Sequence, residues 1–325
     1  MVICALSASQ VPVISLADGQ TKASVAAAIR EACTNLGFFY VSDHGVDESL
    51  VQAAFEQCCL FFNLPEEKKR KCLQDSNNRG YTPLAEQMLD ASRQTRGDTK
   101  EGYYMGREVP LDHPDASKPL HGPNVWPDPA LLPDWRPTME RYQAAMIQLA
   151  LKLTDFIGLA LGLPEGFFKK PGMFDNPMTV LRLLHYTEEK SAPEEGVFGA
   201  GAHSDWGMLT LLKTDSVPGL QICLEKDAEN QTWLDVPPVE GAFIVNIGDM
   251  LERWSNDLFR STLHRVVGRG QERFSIPFFF EPNFDCLVEC LPQCCSPSNP
   301  AKYPPVTVGE YLMGKLKSTH AGYKA

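Results

Sequence analysis

The chain has 325 residues, 43% of them hydrophobic and 22% charged. That balance disfavours disorder and supplies enough apolar material for one large domain or two intimately packed ones. A formal net charge of −11 disfavours non-specific binding to nucleic acid or to an anionic membrane. No stretch approaches the apolar length of a membrane span, and residues 1–12 lack the basic start and apolar run of a secretory signal. The expectation is a cytoplasmic protein whose ten cysteines are mostly reduced thiols.

Residues 11–16 read as a strand. Residues 21–36 read as a helix with an apolar stripe of Val25, Ala28, Ile29 and Ala32, ended by Gly37. The aromatic run from Gly37 to Ser42 is a second strand, and His44 after it is a turn or packing residue. Asp47 is placed to cap a helix in which Leu50, Val51, Ala54, Phe55, Cys58, Phe61 and Phe62 recur at helical spacing. Pro65-Glu66-Glu67 opens a short helix, and Lys68-Lys69-Arg70-Lys71 reads as a solvated face. Residues 75–135 are irregular and rich in Gly, Pro and Asp. Within them Arg79-Gly80-Tyr81 and the run from Asp98 to Tyr104 are either walls of a pocket or ordinary loop. From Pro137 to about Gly162 a long packing helix is expected, with Met139, Tyr142, Met146, Leu149, Leu153, Phe156, Ile157 and Ala160 on one side.

From Met178 the pattern changes to strands, at 178–186, 208–212, 219–223, 242–247, 262–268 and 273–280, with Gly248-Asp249 as a turn. Many short strands with regular turns suggest a sandwich or barrel. Three motifs lie among them: His203-Ser204-Asp205, then His264, then Arg273-Phe274-Ser275. On a strand, residues two apart share a face, so His203 and Asp205 can converge on one ion. Two imidazoles and a carboxylate on one side of Fe(II) leave the other side open for O2. An Arg fork beside a hydroxyl suits a carboxylate. Each motif alone has an ordinary reading as a chance pair, a core histidine or a surface pair; the ordered set points to chemistry. Cys286, Cys290, Cys294 and Cys295 do not have the spacing of a zinc finger and read as loop thiols.

The chain resembles the Fe(II)- and 2-oxoglutarate-dependent dioxygenases, in the branch of isopenicillin N synthase and many plant oxygenases, and within it a plant and algal subgroup. Besides the three motifs, the resemblance rests on Val11-Pro12-Val13-Ile14, Gly37-Phe38-Phe39-Tyr40-Val41, His44-Gly45, Phe61-Phe62-Asn63-Leu64-Pro65, Arg79-Gly80-Tyr81, Lys100-Glu101 and Gly122-Pro123-Asn124-Val125-Trp126-Pro127. It implies an α+β fold with a mainly β core: a double-stranded β-helix (jelly roll) flanked by helices, with an N-terminal α/β region. The implied divisions are an N-terminal region at 11–120, a linker and backing helix at 121–172, the catalytic core at 173–290 and a C-terminal extension at 291–325.

The resemblance further implies that His203, Asp205 and His264 hold Fe(II), and that Arg273, Ser275 and Tyr186 hold the distal carboxylate of 2-oxoglutarate. Many relatives carry Asn where this chain has Leu184, so Arg182, on the same strand face, is a candidate contact for co-substrate or substrate. Asn246 and Asp249 recur near the metal, the second more simply as turn chemistry; Phe278, Phe280 and Trp206 are pocket-lining or core. The expected activity is O2-dependent hydroxylation or desaturation of a small organic substrate with release of succinate and CO2, ascorbate serving as an accessory reductant. The alternatives are an iron oxidase that does not use 2-oxoglutarate, a zinc hydrolase, or a catalytically silent small-molecule-binding protein. A monomer is expected, with no nucleic-acid or membrane partner.

Overall fold

Two β-sheets share one small apolar interior, and helices cover the outer side of the larger sheet. The computed structural model describes residues 11–228 and 231–319. In chain order the elements are β1 Val13–Ser15, α1 Lys22–Asn35, β2 Phe38–Ser42, α2 Glu48–Phe62, α3 Glu66–Lys69, β3 Gly80–Thr82, β4 Lys100–Gly106 and α4 Trp135–Ala160. Then follow β5 Met178–Tyr186, β6 Ala200–His203, β7 Leu209–Thr214, β8 Leu220–Cys223, β9 Trp233–Asp235, β10 Phe243–Ile247, α5 Asp249–Trp254, β11 His264–Val266, β12 Arg273–Glu281 and α6 Val308–Thr319. The large sheet has the order β1-β2-β10-β7-β12-β5-β4-β3, and the small one β6-β11-β8-β9. This is the jelly-roll core with flanking helices that the resemblance implies.

The helices start where side chains can satisfy their first free N–H groups. Thr21 accepts from the Ser24 amide at the head of α1, and Asp47 from the Ser49 amide at the head of α2. α4 begins at Trp135 rather than Pro137; proline in a first turn removes an N–H that has no partner there in any case. Trp135 is fully buried against Phe61, Tyr103 and Trp126.

Strand alternation divides the large sheet between two cores. Leu181, Leu183, Leu209, Leu211, Ile276, Phe278 and Phe280 point outward to the core under α1, α2 and α4. Leu184, Tyr186, Phe38, Tyr40 and Ile244 point inward, against Ala200, Leu220, Ile222 and Val266 of the small sheet. Residues of the inner face therefore look into the space between the sheets.

Two expectations are corrected. Lys69 is not part of a solvated face: its ammonium is buried 2.7 Å from Glu101 Oε2, because α3 packs over the outer side of β4, where Tyr81 and His185 also reach Glu101. Gly248-Asp249 is not a simple turn but the head of α5. Arg79-Gly80-Tyr81 is not loop, since Gly80 and Tyr81 open β3. Arg79 donates to the Leu120 carbonyl, and Tyr81 lies in the outer core.

Candidate metal centre and co-substrate pocket

His203 ends β6 and stands directly opposite His264 on β11 in an antiparallel pair. Cross-strand partners share a face, so the two imidazoles meet, ring centres 4.3 Å apart. Asp205 arrives differently. β6 stops at His203, so strand alternation does not place the carboxylate. The head of α5 does: the Asp249 amide donates to the Asp205 carbonyl at 2.7 Å, and the Met250 amide to the carbonyls of Trp206 and Gly207. Gly248 is needed for this clasp, since a Cβ there would lie 2.2 Å from the Gly207 carbonyl oxygen.

Asp205 Oδ1 is 3.9 Å from His203 Nε2 and 3.7 Å from His264 Nε2. One ligand atom from each residue falls within a 4.8 Å cluster, the single three-residue metal-ligating set among the described residues. The hydrogen bonds fix which atoms are free. His203 Nδ1 donates to the Gly201 carbonyl at 2.8 Å and His264 Nδ1 to the Thr262 carbonyl at 3.0 Å. A carbonyl only accepts, so each Nδ1 carries the proton and each Nε2 presents its lone pair to the cluster. Asp205 Oδ2 accepts from Thr210 Oγ1 at 2.6 Å and Asn246 Nδ2 at 2.7 Å, leaving Oδ1 toward the histidines.

Protonation suits the same task. Burial, reinforced by His264, pushes His203 down to about 4. Burial alone would raise the Asp205 carboxyl, but His264, His203, Asn246 and Thr210 outweigh it and hold the group below its ordinary value. A neutral imidazole and an ionised carboxylate are the ligating forms. The donor set suits a divalent iron with open positions. Asn246→Leu should weaken divalent-metal affinity by about 10- to 100-fold without unfolding the protein, measured by titrating Mn(II) into the metal-free enzyme.

A second cluster lies across the inner face. Arg273 opens β12 opposite Tyr186, and its guanidinium carbon sits 4.9 Å from the tyrosine ring centre. Nε donates to the Val217 carbonyl at 3.1 Å, while the buried Nη1 has no partner. A buried donor without an acceptor is costly, and this one fits a ligand carboxylate. Ser275, also buried, stands between Leu184 and Thr214 on the same face. Arg182 is further along β5, over the Tyr104 ring at 4.3 Å and donating to Gln87 Oε1.

The partners of several neighbours could not be read from the sequence. Asp98 pairs with Lys100 in a fully buried ion pair and accepts from the Gly201 amide at 2.9 Å, tying the start of β4 to the strand that carries His203. Burial pushes Lys100 down to about 8 against the pull of Asp98. Glu281 ends β12, its carboxyl pushed up to about 8 by burial and then by Asp205. Gly207 makes room for it, since a Cβ there would meet Glu281 Oε1 at 2.0 Å. Phe278 and Phe280 lie in the outer core, so Phe279 takes the inner face instead. Trp206 is half-buried against the outer core. Cys286, Cys290, Cys294 and Cys295 are free thiols and form no metal set among the described residues. No helix among those residues is long and apolar enough to cross a membrane.

Comparison with known proteins agrees with this geometry. Residues 11–129 match the family of the non-haem dioxygenase in morphine synthesis N-terminal region, and residues 177–282 the 2OG-Fe(II) oxygenase superfamily. The chain is 41% identical to kihadalactone A synthase of Citrus sinensis over 97% of its own length and 96% of that protein's. It is 38% identical to the 2-oxoglutarate-Fe(II) type oxidoreductase hxnY of Emericella nidulans, covering 95% and 88% of the two chains. Among solved structures, a full-length Neurospora crassa protein in complex with alpha-KG and thymine superposes with a TM-score of 0.82 at 30% identity, covering 95% and 97% of the two chains. Matches at this identity along nearly the whole length, over a β core that gathers two histidines and an aspartate, make the chain a member of the Fe(II)- and 2-oxoglutarate-dependent oxygenases.

Proposed function

We propose that His203, Asp205 and His264 are the iron ligands of this oxygenase, and that Arg273, with Ser275 and Tyr186, holds the far carboxylate of 2-oxoglutarate. The observation that carries this reading is the convergence of one ligand atom each from His203, Asp205 and His264 within 4.8 Å, with Asp205 Oδ1 3.9 and 3.7 Å from the two Nε2 atoms. The unpartnered Nη1 of Arg273 supports the second half. When bound, iron and 2-oxoglutarate supply O2 activation and the oxidising power to hydroxylate or desaturate a small organic substrate, with succinate and CO2 as co-products.

The chain's own residues bind, orient and exclude water. The Gly201 and Thr262 carbonyls hold the imidazoles in the ligating tautomer. Thr210 and Asn246 aim one carboxylate oxygen by occupying the other. Arg273 neutralises and orients the diacid, and the apolar residues between the sheets keep bulk solvent from the reacting centre. A relative of this fold bound to thymine supports a small organic substrate. We further read the enzyme as a cytoplasmic monomer.

The test is stoichiometric. With Fe(II), 2-oxoglutarate and a substrate, one succinate is expected per O2 consumed, and none without 2-oxoglutarate. Oxygen uptake and substrate oxidation that proceed without 2-oxoglutarate would instead place the chain with the iron oxidases that do not use it.

A further inference from the structure

We propose that Arg182 binds a carboxylate of the primary substrate, so that the molecule oxidised is an organic acid. The inference rests on the iron and 2-oxoglutarate assignments above and adds the class of substrate.

Arg182 sits in the middle of β5, 7% exposed, on the inner face with Leu184 and Tyr186. Its guanidinium is nearly out of water, yet no ion pair among the described residues includes it. Its contacts are neutral: Nη2 donates to Gln87 Oε1, and the Tyr104 ring lies 4.3 Å from its carbon. Nε is buried and has no partner. Gly102 on β4 leaves room beside it, since a Cβ there would stand 3.4 Å from Nε and 3.2 Å from Leu184 Cδ2. A buried cation with no counter-charge costs several kcal/mol unless a ligand brings one.

The other charges in the site already cancel. A divalent iron and Arg273 balance Asp205 and the two carboxylates of 2-oxoglutarate. Lys100 is paired with Asp98. Glu281 does not reach Arg182: the residue opposite Arg182 on β12 is Pro277, in line with the pairing of Leu181 and Phe278, and Glu281 is four residues beyond it, about 13 Å along the strand. One positive charge is left on Arg182, and it asks for one negative charge.

The geometry selects a planar anion. The Tyr104 ring packs against the guanidinium, and Gln87 is the one acceptor on Nη2, so the Nε–H and a second hydrogen of the neighbouring Nη2 are left without partners. Such a pair receives both oxygens of a carboxylate. Gln87 is itself held by the loop before β4, where the Asp98 amide donates to the Gln87 carbonyl at 2.7 Å. The acid group is therefore read beneath that loop, from the side of the sheet that carries Tyr104.

The experiment uses the full-length protein without O2, loaded with Fe(II) and 2-oxoglutarate, and follows the visible charge-transfer band of that complex. Benzoate, cinnamate, indole-3-acetate and decanoate are titrated beside their primary amides. At least one acid is expected to shift the band, its amide binding about 30-fold more weakly. Arg182→Gln should erase that difference while 2-oxoglutarate still forms the band, and Arg182→Lys should recover part of it. The proposal is overturned if no acid shifts the band, if amides bind as well as acids, or if the acid preference survives in Arg182→Gln. It also fails if Arg182→Gln, folded by circular dichroism, no longer forms the band, because Arg182 would then serve the co-substrate. A wild-type protein that forms no band at all removes the iron and 2-oxoglutarate assignments, and this inference with them.

Discussion

Asp205→Ala is expected to abolish stable iron binding and, with it, substrate-dependent succinate formation. The loss should exceed the roughly 100-fold that removal of an outer partner of a metal ligand produces. The carboxylate is the one anionic group of the ligand set, and its free oxygen is the atom shared by both histidine approaches, at 3.9 and 3.7 Å. Its removal also leaves the Thr210 hydroxyl and the Asn246 amide without their acceptor in a buried place. His203→Ala should also lose iron although it strands no such pair of donors, which separates loss of a ligand from burial of unpaired groups. The measurement is iron per protein after anaerobic reconstitution, with circular dichroism to show that the chain is folded. Retention of one iron per chain in Asp205→Ala would end the assignment.

Arg273→Ala should behave differently in kind. Iron should stay bound, while the KM for 2-oxoglutarate rises by about 100-fold, the scale of losing one side of a buried charge-assisted pair. The side chain is 4% exposed and tethered through Nε to Val217, so its unpartnered Nη1 is held in position before any ligand arrives. Preorganisation of this sort is lost with the fork as well as with the charge. Arg273→Lys is therefore expected to recover only part of the affinity. Initial rates across a 2-oxoglutarate series, with iron content held equal, decide the matter. An unchanged KM in Arg273→Ala would show that another group holds the diacid.

Much of the scaffold is legible from local pattern. The strand expected at 178–186 is β5 residue for residue. The stripe from Leu50 to Phe62 is the buried side of α2, and Asp47 is its cap. Period and capping are short-range properties, so a window of the chain carries them. Lys69 misleads because four consecutive cations look solvated in any window; only the packing of α3 over β4 brings Glu101 to one of them. The pairing of Asp98 with Lys100 is hidden for the same reason. Their neighbour, the Gly201 amide, is 103 residues from Asp98. Arg182 stands out by its strand face, but its lack of a counter-charge becomes visible only when every neighbour is in place.

The amino-acid sequence by itself determined the types of the candidate ligands, their order along the chain, the Arg-x-Ser pair and the strand periods that give each side chain an inner or outer face. Tertiary structure alone decided how Asp205 reaches the histidines, because β6 ends before it and the first turn of α5 holds its backbone instead. It also decided which charges find partners: Lys100 does, while one buried nitrogen each of Arg182 and Arg273 does not. The physical reason is common to both. Local propensity acts within a few residues, whereas hydrogen bonding and charge compensation are settled between segments that meet only after the sheets have closed.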